Sequence, residues 1–136
     1  MRHFVLGLFL IAGCNASSKV AAVSGIVTLD GQPLANAAVS FQPTGNDRLN
    51  PGPGSTGLTN DKGEYTLEVT GRGHGAIVGL HRVEISCIEV GGTNRPQEDP
   101  RTKPRDRVPP EYNFRSKLTF EVKPGKNTAN FDLTTR

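Results

Sequence analysis

The chain has 136 residues and a formal net charge of +3 at pH 7, which suits one domain and is too weak and scattered for a nucleic-acid-binding face. Hydrophobic residues make up 35% of the chain and Trp is absent, whereas Gly (16) and Pro (10) are abundant. Short apolar runs separated by turn-forming residues are typical of an all-β protein rather than a helical one.

The first thirteen residues have the pattern of a signal peptide. Arg2 and His3 supply a short basic region, and residues 4–12 are an uncharged apolar run, far shorter than the roughly 20 residues of a membrane-spanning helix. The run ends in Leu-Ile-Ala-Gly-Cys at residues 10–14, which resembles the bacterial lipobox. We therefore predict a signal peptide over 1–13 and a lipidated Cys14. The alternatives are an ordinary signal peptide with an incidental Cys, or a buried N-terminal strand.

This prediction implies a cellular location for the protein. Residues 14–19 are expected to be the lipidated cysteine and a short polar tether, followed by a single domain over residues 20–136. Two or more acyl chains, such as a diacylglyceryl group and an amide-linked palmitate, hold a protein stably on a bilayer. We expect an exported lipoprotein on the periplasmic or surface side of the cell membrane or outer membrane.

The first half of the domain alternates apolar and polar residues with a period of two. Asp30-Gly31 is a strong signal for a tight hairpin turn, and the Pro- and Gly-rich stretch 43–55 is predicted as a loop. The inward-facing positions predicted here are Val23, Gly25, Val27, Leu29, Val39 and Phe41.

The second half continues this pattern. Residues 60–63 are predicted as a turn. The predicted inward residues are Tyr65, Leu67 and Val69 on a strand over 64–69, His81, Val83, Ile85 and Cys87 on a strand over 80–88, and Leu118, Phe120, Val122, Ala129, Phe131 and Leu133 on a final hairpin that turns at 123–127. Roughly seven strands, each with one apolar face, predict two packed antiparallel sheets, a seven-stranded β-sandwich.

Residues 91–111 form a long Pro- and charge-rich segment, which we expect to be too polar to pack and too long for a hairpin loop. Loops on a rigid sandwich carry most recognition, so this segment and the 43–55 loop are the candidate partner-binding regions, for an anionic glycan or lipid headgroups. The acids Glu98, Asp99 and Asp106 offset much of the positive charge, which favours the alternative of a solvated loop. The candidate cations are Arg95, Arg101, Lys103, Arg105 and Arg107.

Three motifs resemble the carboxypeptidase regulatory-like domain. Residues 23–41 are similar to the family's opening pattern G-x-V-x-x-x-x-G-x-P-L-x-x-A-x-V, residues 59–67 (TNDKGEYTL) to its T-D-x-x-G-x-Y signature, and residues 79–85 to its third signature, a Gly followed by a strand. Residues 108–113 and 118–125 resemble short planctomycete-type lipoproteins that carry this domain. The resemblance implies a transthyretin- or prealbumin-like seven-stranded sandwich that serves as an accessory or adhesive module.

Residues that could carry chemistry do not fall into a catalytic pattern. His74, His81, Tyr65 and Tyr112 match the two-His, two-Tyr ligand count of intradiol dioxygenases, but those enzymes place their histidines one residue apart, and these are seven apart. Residues 132–136 also differ from the C-terminal Tyr-Arg-Gly-Ser of 5-hydroxyisourate hydrolase. Neither iron chemistry nor that hydrolysis is therefore predicted.

Two further features have simpler explanations than a site. Asn60–Glu64 lacks the alternating oxygen ligands and the distant bidentate Glu of a calcium loop, so a turn is favoured. Cys87 shares the face of Val83 and Ile85 and is predicted as a buried apolar residue, with no disulfide partner if Cys14 carries lipid. His81 is predicted at the edge of the core.

The sequence therefore favours a non-catalytic, lipid-anchored β-sandwich that acts as an interaction or structural module of the cell envelope, without a metal or other cofactor. Its expected partners are the membrane, through the lipid on Cys14, and an envelope protein or glycan, but not nucleic acid. The first alternative is a lipoprotein that binds carbohydrate or another small polar ligand. The second is an enzyme of the transthyretin-like group.

Overall fold

The computed structural model describes residues 19–44, 52–89 and 105–136. The predicted signal peptide, Cys14 and the tether before Lys19 lie outside the described residues, as do the candidate cations Arg95, Arg101 and Lys103. The strands are β1 (Val20–Leu29), β2 (Gln32–Pro33), β3 (Ala38–Pro43), β4 (Ser55–Leu58), β5 (Glu64–Thr66), β6 (Glu68–Val69), β7 (Gly73–His74), β8 (Ala76–Ile77), β9 (Gly79–Ser86), β10 (Ile88–Glu89), β11 (Arg105–Asp106), β12 (Thr119–Val122), β13 (Lys126–Thr128) and β14 (Phe131–Leu133).

The strands form two main sheets. In the first, the long strand β1 pairs with β2, β5 and β8 in antiparallel fashion and with β13 and β14 in parallel. The second has the antiparallel order β12-β9-β3-β4-β6-β7, and β10 and β11 form a separate two-stranded ladder. The only helical element in the described ranges is a single 3₁₀ turn, Pro110–Tyr112. The all-β sandwich is confirmed, with the difference that β1 runs parallel to the last two strands.

The core consists of the inward residues of the two sheets, and their period of two is as predicted. Val23, Val27, Val39 and Phe41 are completely buried. The ring of Phe41 lies 5.6–6.2 Å, between centroids, from three other rings, which belong to His81, Phe120 and Phe131. Aromatic pairs at this spacing add to the stabilisation from apolar burial. The rest of the core cluster comprises Ala21, Leu34, Ala37, Tyr65, Leu67, Ala76, Val83, Ile85, Cys87, Val108, Val122, Ala129 and Leu133.

The predicted hairpin turn at Asp30-Gly31 is confirmed. Both residues have positive φ, 51° and 82°, and the flanking Leu29 and Gln32 are paired. Positive φ at both central residues defines the type I′ turn, which matches the twist of the strands it joins. Asp tolerates this conformation better than most residues, and Gly adopts it without strain.

The predicted strand over 64–69 is divided at Leu67. β5 pairs with β1 in the first sheet, whereas β6 pairs with β4 in the second, so the chain passes from one sheet to the other at this residue. The N–H of Leu67 donates to the carbonyl of Val23 (3.0 Å), and its carbonyl accepts from Gly75 (2.7 Å). The Leu67 side chain stays buried, so the alternation of buried and exposed residues continues through the crossover. The sequence pattern therefore does not reveal the change of sheet.

The predicted final hairpin is wrong in its pairing, although the predicted faces are right. β12 pairs with β9 in the second sheet, while β13 and β14 pair with β1 in the first. Asn127 fixes the connection between them, because its Nδ2 donates to the carbonyls of Lys123 (2.8 Å) and Ala22 (3.1 Å). Between β13 and β14, Asn130 Oδ1 replaces a backbone acceptor for the N–H of Ile26 (2.9 Å).

Candidate functional site

The direction of β1 defines two ends of the sandwich. Lys19 lies at the end where β1 starts, which we call the tether end, and the Asp30-Gly31 turn lies at the opposite end, which we call the far end. Ten residues of strand separate the two ends by about 30 Å. The pairing register places the following segments at the far end: the turn over 60–63, β10 and β11, the 3₁₀ turn and residues 134–136.

The far end carries two adjoining depressions. The smaller has a volume of about 190 Å³ and is lined, among the described residues, by Pro109, Glu111, Tyr112, Thr134, Thr135 and Arg136. The larger is open, with a volume of about 500 Å³, and adds Asp30 to Thr134, Thr135 and Arg136. We call this combined surface the far-end groove. It offers two side-chain carboxylates, three hydroxyls, a guanidinium and an aromatic ring within one concave surface.

Asp30 organises the groove. Its Oδ1 accepts the N–H of Thr135 (2.9 Å), and its Oδ2 accepts the Thr135 hydroxyl (2.7 Å). These two hydrogen bonds, with a smaller contribution from the charge of Arg136, lower the pKa of Asp30 below its ordinary value. The carboxylate therefore remains ionised near neutral pH and holds residues 134–136 beside the turn.

Tyr112 forms the opposite wall. It ends the 3₁₀ turn, its half-buried ring packs against the core, and its hydroxyl accepts the N–H of Thr134 (3.3 Å). A tyrosine with one edge in the core and one at a groove presents a rigid surface at low entropic cost. Because neighbouring protein groups fix both Asp30 and Tyr112, the groove is preformed.

Asp106 attaches the candidate charged segment to the sandwich. Its Oδ1 accepts the N–H groups of Cys87 (2.8 Å) and Val108 (2.9 Å), and its Oδ2 accepts from Asn113 Nδ2 (3.1 Å). Val108 is 2% exposed and belongs to the core. The expectation that residues 91–111 are too polar to pack is thus wrong for residues 105–111, because Asp106 satisfies the backbone that enters the core.

Two of the five candidate cations lie within the described residues, both exposed at the far end. Arg105 pairs with Glu89 across the β10–β11 ladder, and Arg107 Nε lies 3.4 Å from Glu89 Oε1. Glu89 and Arg105, the described residues on either side of 90–104, therefore both lie at the far end. Glu89 partly neutralises Arg107, and a surface ion pair of this kind contributes little to stability.

The described residues of the second candidate region, 43–44 and 52–55, lie at the tether end. The N–H of Thr44 donates to the carbonyl of Leu80 (2.9 Å), and a Cβ at Gly52 would lie 2.5 Å from Ile77 Cδ1. Ile77 lies in the first sheet, where it pairs with Val20 at the start of β1, and Leu80 lies in the second sheet at the same end. The described residues of the two candidate regions therefore lie at opposite ends of the sandwich.

The two histidines occupy unrelated environments. His81 is completely buried, deeper than the predicted core edge, and its Nε2 donates to the carbonyl of Ile77 (2.6 Å) while Nδ1 has no hydrogen-bond partner among the described residues. Burial lowers the pKa of His81, so the ring is neutral. His74 is exposed, with Nδ1 3.3 Å from Glu68 Oε1.

The tyrosines are equally separate. Tyr65 is buried, and its hydroxyl donates to the carbonyl of Ala129 (2.6 Å), a hydrogen bond between two neutral groups. Burial raises the pKa of Tyr65 well above its ordinary value, so its phenol stays protonated. Tyr112 lies at the far end. Within the described ranges, no group of three or more His, Cys, Asp or Glu side chains is placed to hold a metal ion.

The remaining polar candidates are explained by the fold. Asn60 Oδ1 accepts the N–H groups of Lys62 (2.9 Å) and Glu64 (3.0 Å), which confirms the predicted turn. Cys87 is buried, as predicted, and its thiol donates to the carbonyl of Ala35 (3.5 Å). Burial raises the pKa of the Cys87 thiol, which opposes thiolate formation.

Comparisons with known proteins assign the chain to no family. No family model matches it, and no curated protein matches it. Among solved structures, it is similar to a DUF3823 family protein from Parabacteroides merdae, at 14% sequence identity and a TM-score of 0.42, over 86% of this chain and 47% of that one. The chain thus spans about half the length of that structure. Within the described residues, no helix is long and apolar enough to cross a bilayer.

Proposed function

We propose that this protein is a non-catalytic, lipid-anchored β-sandwich of the cell envelope that presents its far end to a partner. The observation that carries the proposal is the placement of Lys19 and the far-end groove at opposite ends of β1. A lipid on Cys14, five residues before Lys19, would hold the tether end at the membrane and leave the groove about 30 Å further out.

Two features of the sequence support the anchor and the module. The apolar run that ends in Leu-Ile-Ala-Gly-Cys has the length and small residues of a lipoprotein signal. The motifs over 23–41, 59–67 and 79–85 are similar to those of carboxypeptidase regulatory-like domains, whose members are often accessory modules. We infer membership of that group from these motifs, and they consist mainly of turn and core residues, which specify a fold rather than an activity.

The environments of the chemistry-bearing residues favour binding over catalysis. His81, Tyr65 and Cys87 are buried and engaged with backbone carbonyls, and burial shifts each pKa toward the neutral form. A general base or nucleophile must reach its substrate, and these three groups face the core. The iron-enzyme alternative has a direct test, because a stoichiometric iron content in the purified protein would overturn the non-catalytic proposal.

The anchor is tested by the intact mass of the protein extracted from membranes of its host. The expected mass begins at Cys14 and includes a diacylglyceryl group, and these lipids are absent from a Cys14→Ala variant. An unmodified, soluble protein would contradict the anchor. The far-end groove would then belong to a sandwich that is not attached to a membrane.

A second function, carbohydrate or small polar ligand binding, is favoured by the composition of the far-end groove. Tyr112 provides a ring for stacking against a sugar face, and Asp30, Arg136 and the two threonines provide acceptors and donors. A glycan array with the purified chain tests it, with Tyr112→Ala and Arg136→Ala expected to lose any signal. Ala substitution at Arg72, at the opposite end, serves as the control. Signals that persist in the groove variants would assign glycan binding elsewhere.

A further inference from the structure

We propose that the tether end of the sandwich is itself a membrane-contact surface, which binds anionic phospholipid headgroups and so orients the domain. This proposal rests on the lipid anchor of the proposed function. The anchor supplies the attachment, and the surface described here determines which way the domain points.

Exposed cations collect at the tether end. Lys126 pairs with Ala22 near the start of β1, and the carbonyl of Lys19 accepts the N–H of Val78 (2.8 Å). The turn that contains Lys123 joins β12 to β13 at this end, and Arg72 lies in the turn between β6 and β7. All four cations are exposed.

The acids at this end do not cancel the cations. Glu121 lies opposite Leu80, and Glu68 lies 3.3 Å from His74. Among the described residues at this end, four cations therefore face two acids.

The far end has the opposite balance. Among the described residues, its acids are Asp30, Asp61, Glu64, Glu89, Asp106, Glu111 and Asp132, and its cations are Lys62, Arg105, Arg107, Arg115 and Arg136, so the acids are in excess by two. The described residues of the sandwich thus form a charge dipole along β1, with cations in excess at the tether end and acids in excess at the far end.

The tether is short enough for this dipole to act. Five residues from Cys14 to Lys19 span at most about 17 Å, whereas the Debye length is about 8 Å at physiological salt. Lys19 therefore stays within about two Debye lengths of the membrane surface, and Arg72, Lys123 and Lys126 lie at the same end of the sandwich. Positive charge at an anionic bilayer lowers the free energy, so the tether end is attracted and the acidic far end is repelled.

Two exposed apolar side chains extend the same surface. Val20, at the start of β1, is 36% exposed, and Leu80, near the start of β9, is 49% exposed. Apolar groups next to cations are the composition that favours the headgroup region of a bilayer. We infer that they lie against the lipid when the cations are engaged.

The test measures orientation separately from attachment. The full chain, purified from membranes of its host, is reconstituted in vesicles of phosphatidylcholine alone or with about one-third phosphatidylglycerol, and a fluorophore is placed at Thr70→Cys (tether end) or Asp61→Cys (far end). Cys87 is buried and does not compete for the label. Spin-labelled headgroups are expected to quench the Thr70 label about two-fold more in anionic than in neutral vesicles, and to quench the Asp61 label less, with the difference abolished by 0.5 M salt.

Charge reversal supplies the matched control. Lys123→Glu with Lys126→Glu is expected to remove the effect, whereas Lys62→Glu with Lys117→Glu, the same charge change elsewhere, leaves it. Equal quenching in both vesicles, or an unchanged effect in the Lys123/Lys126 variant, overturns the surface. Flotation of each sample reports the anchor independently. Flotation with neutral vesicles requires the lipid, and flotation with anionic vesicles alone would refute the anchor and support the surface.

Discussion

The carboxylate of Asp30 accepts two hydrogen bonds from a single residue, Thr135, which lies 105 positions further along the chain. The contact joins the turn at the end of β1 to the segment after β14. Both oxygens are used, one by the amide and one by the hydroxyl. This clamp gives the floor of the far-end groove its shape.

We predict that Asp30→Asn loosens this clamp without unfolding the sandwich. Asn tolerates the positive φ of the turn, but its amide nitrogen cannot accept the Thr135 hydroxyl. Amide exchange at Thr135 should become faster, while exchange in β1 stays the same. Thr135→Val, which removes only the hydroxyl, should give a smaller increase. Unchanged exchange at Thr135 in Asp30→Asn would contradict the clamp.

The clamp also has a pH dependence. The pKa of Asp30 is lowered in the folded protein, so its contribution to stability is complete above the ordinary pKa and is lost as pH falls through the lowered value. In wild type, the rate of amide hydrogen exchange at Thr135, corrected for the intrinsic effect of pH, should therefore rise as pH falls toward the lowered pKa of Asp30. In Asp30→Asn it should show no such rise.

The hydroxyl of Tyr65 gives a second prediction. Tyr65→Phe leaves the buried carbonyl of Ala129 without its 2.6 Å partner, which costs about 1–3 kcal/mol of unfolding free energy. Tyr112→Phe is the control, because that hydroxyl makes long, exposed contacts to Thr134 and its loss should cost within about 0.5 kcal/mol. Urea unfolding measures both. Equal costs would show that the Tyr65 hydrogen bond does not contribute.

Which residues face the core could be predicted from the sequence, because side chains alternate along a strand between an apolar face toward the core and a polar face toward water. Val39, Phe41, Val83 and Ile85 are examples. The partner of each strand could not be predicted from that pattern. At Leu67 the chain changes sheets without breaking the alternation, and the strand over 119–122 has the same pattern whether it pairs with its successor or with β9.

The far-end groove could not be predicted from the sequence, for a different reason. Asp30, Tyr112 and Thr135 are far apart in the chain, and the motifs that contain Asp30 and Tyr112 predict a turn and a family resemblance rather than a groove. Val108 is a single apolar residue in a polar stretch, where periodicity has nothing to detect. The pairing of β1 with β14 brings residues 134–136 to the far end, and the hydrogen bonds of Asp106 bring residues 105–112 there.

The buried His81 predicts an acid-sensitive fold. Burial lowers its pKa in the folded protein, whereas the unfolded chain takes up a proton near its ordinary value of 6.5. Its stabilising contribution is therefore complete above about pH 6.5 and falls as pH drops from there toward the lowered pKa. Unfolding free energy should decrease between pH 7 and pH 5 in wild type, and this slope should be smaller in His81→Phe.

His74→Gln is the matched control for that slope, because His74 is exposed and its replacement leaves His81 unchanged. Where His81→Phe fails to fold, His81→Gln, which retains a donor for Ile77, replaces it. An identical slope in wild type and a folded His81 variant would contradict the assignment.

Asp106 predicts a link between the charged segment and Cys87. Asp106→Ala removes the acceptor from the N–H groups of Cys87 and Val108, which costs about 1–3 kcal/mol. As Val108 leaves the core, the thiol of Cys87 should become accessible and react faster with a disulfide reagent. Asp132→Ala, which loses one exposed hydrogen bond to Thr28, is the control and should leave the thiol protected. Equal thiol rates in the two variants would mean that Asp106 does not hold residues 105–111 on the sandwich, and the candidate cations Arg105 and Arg107 would then lack a fixed position at the far end.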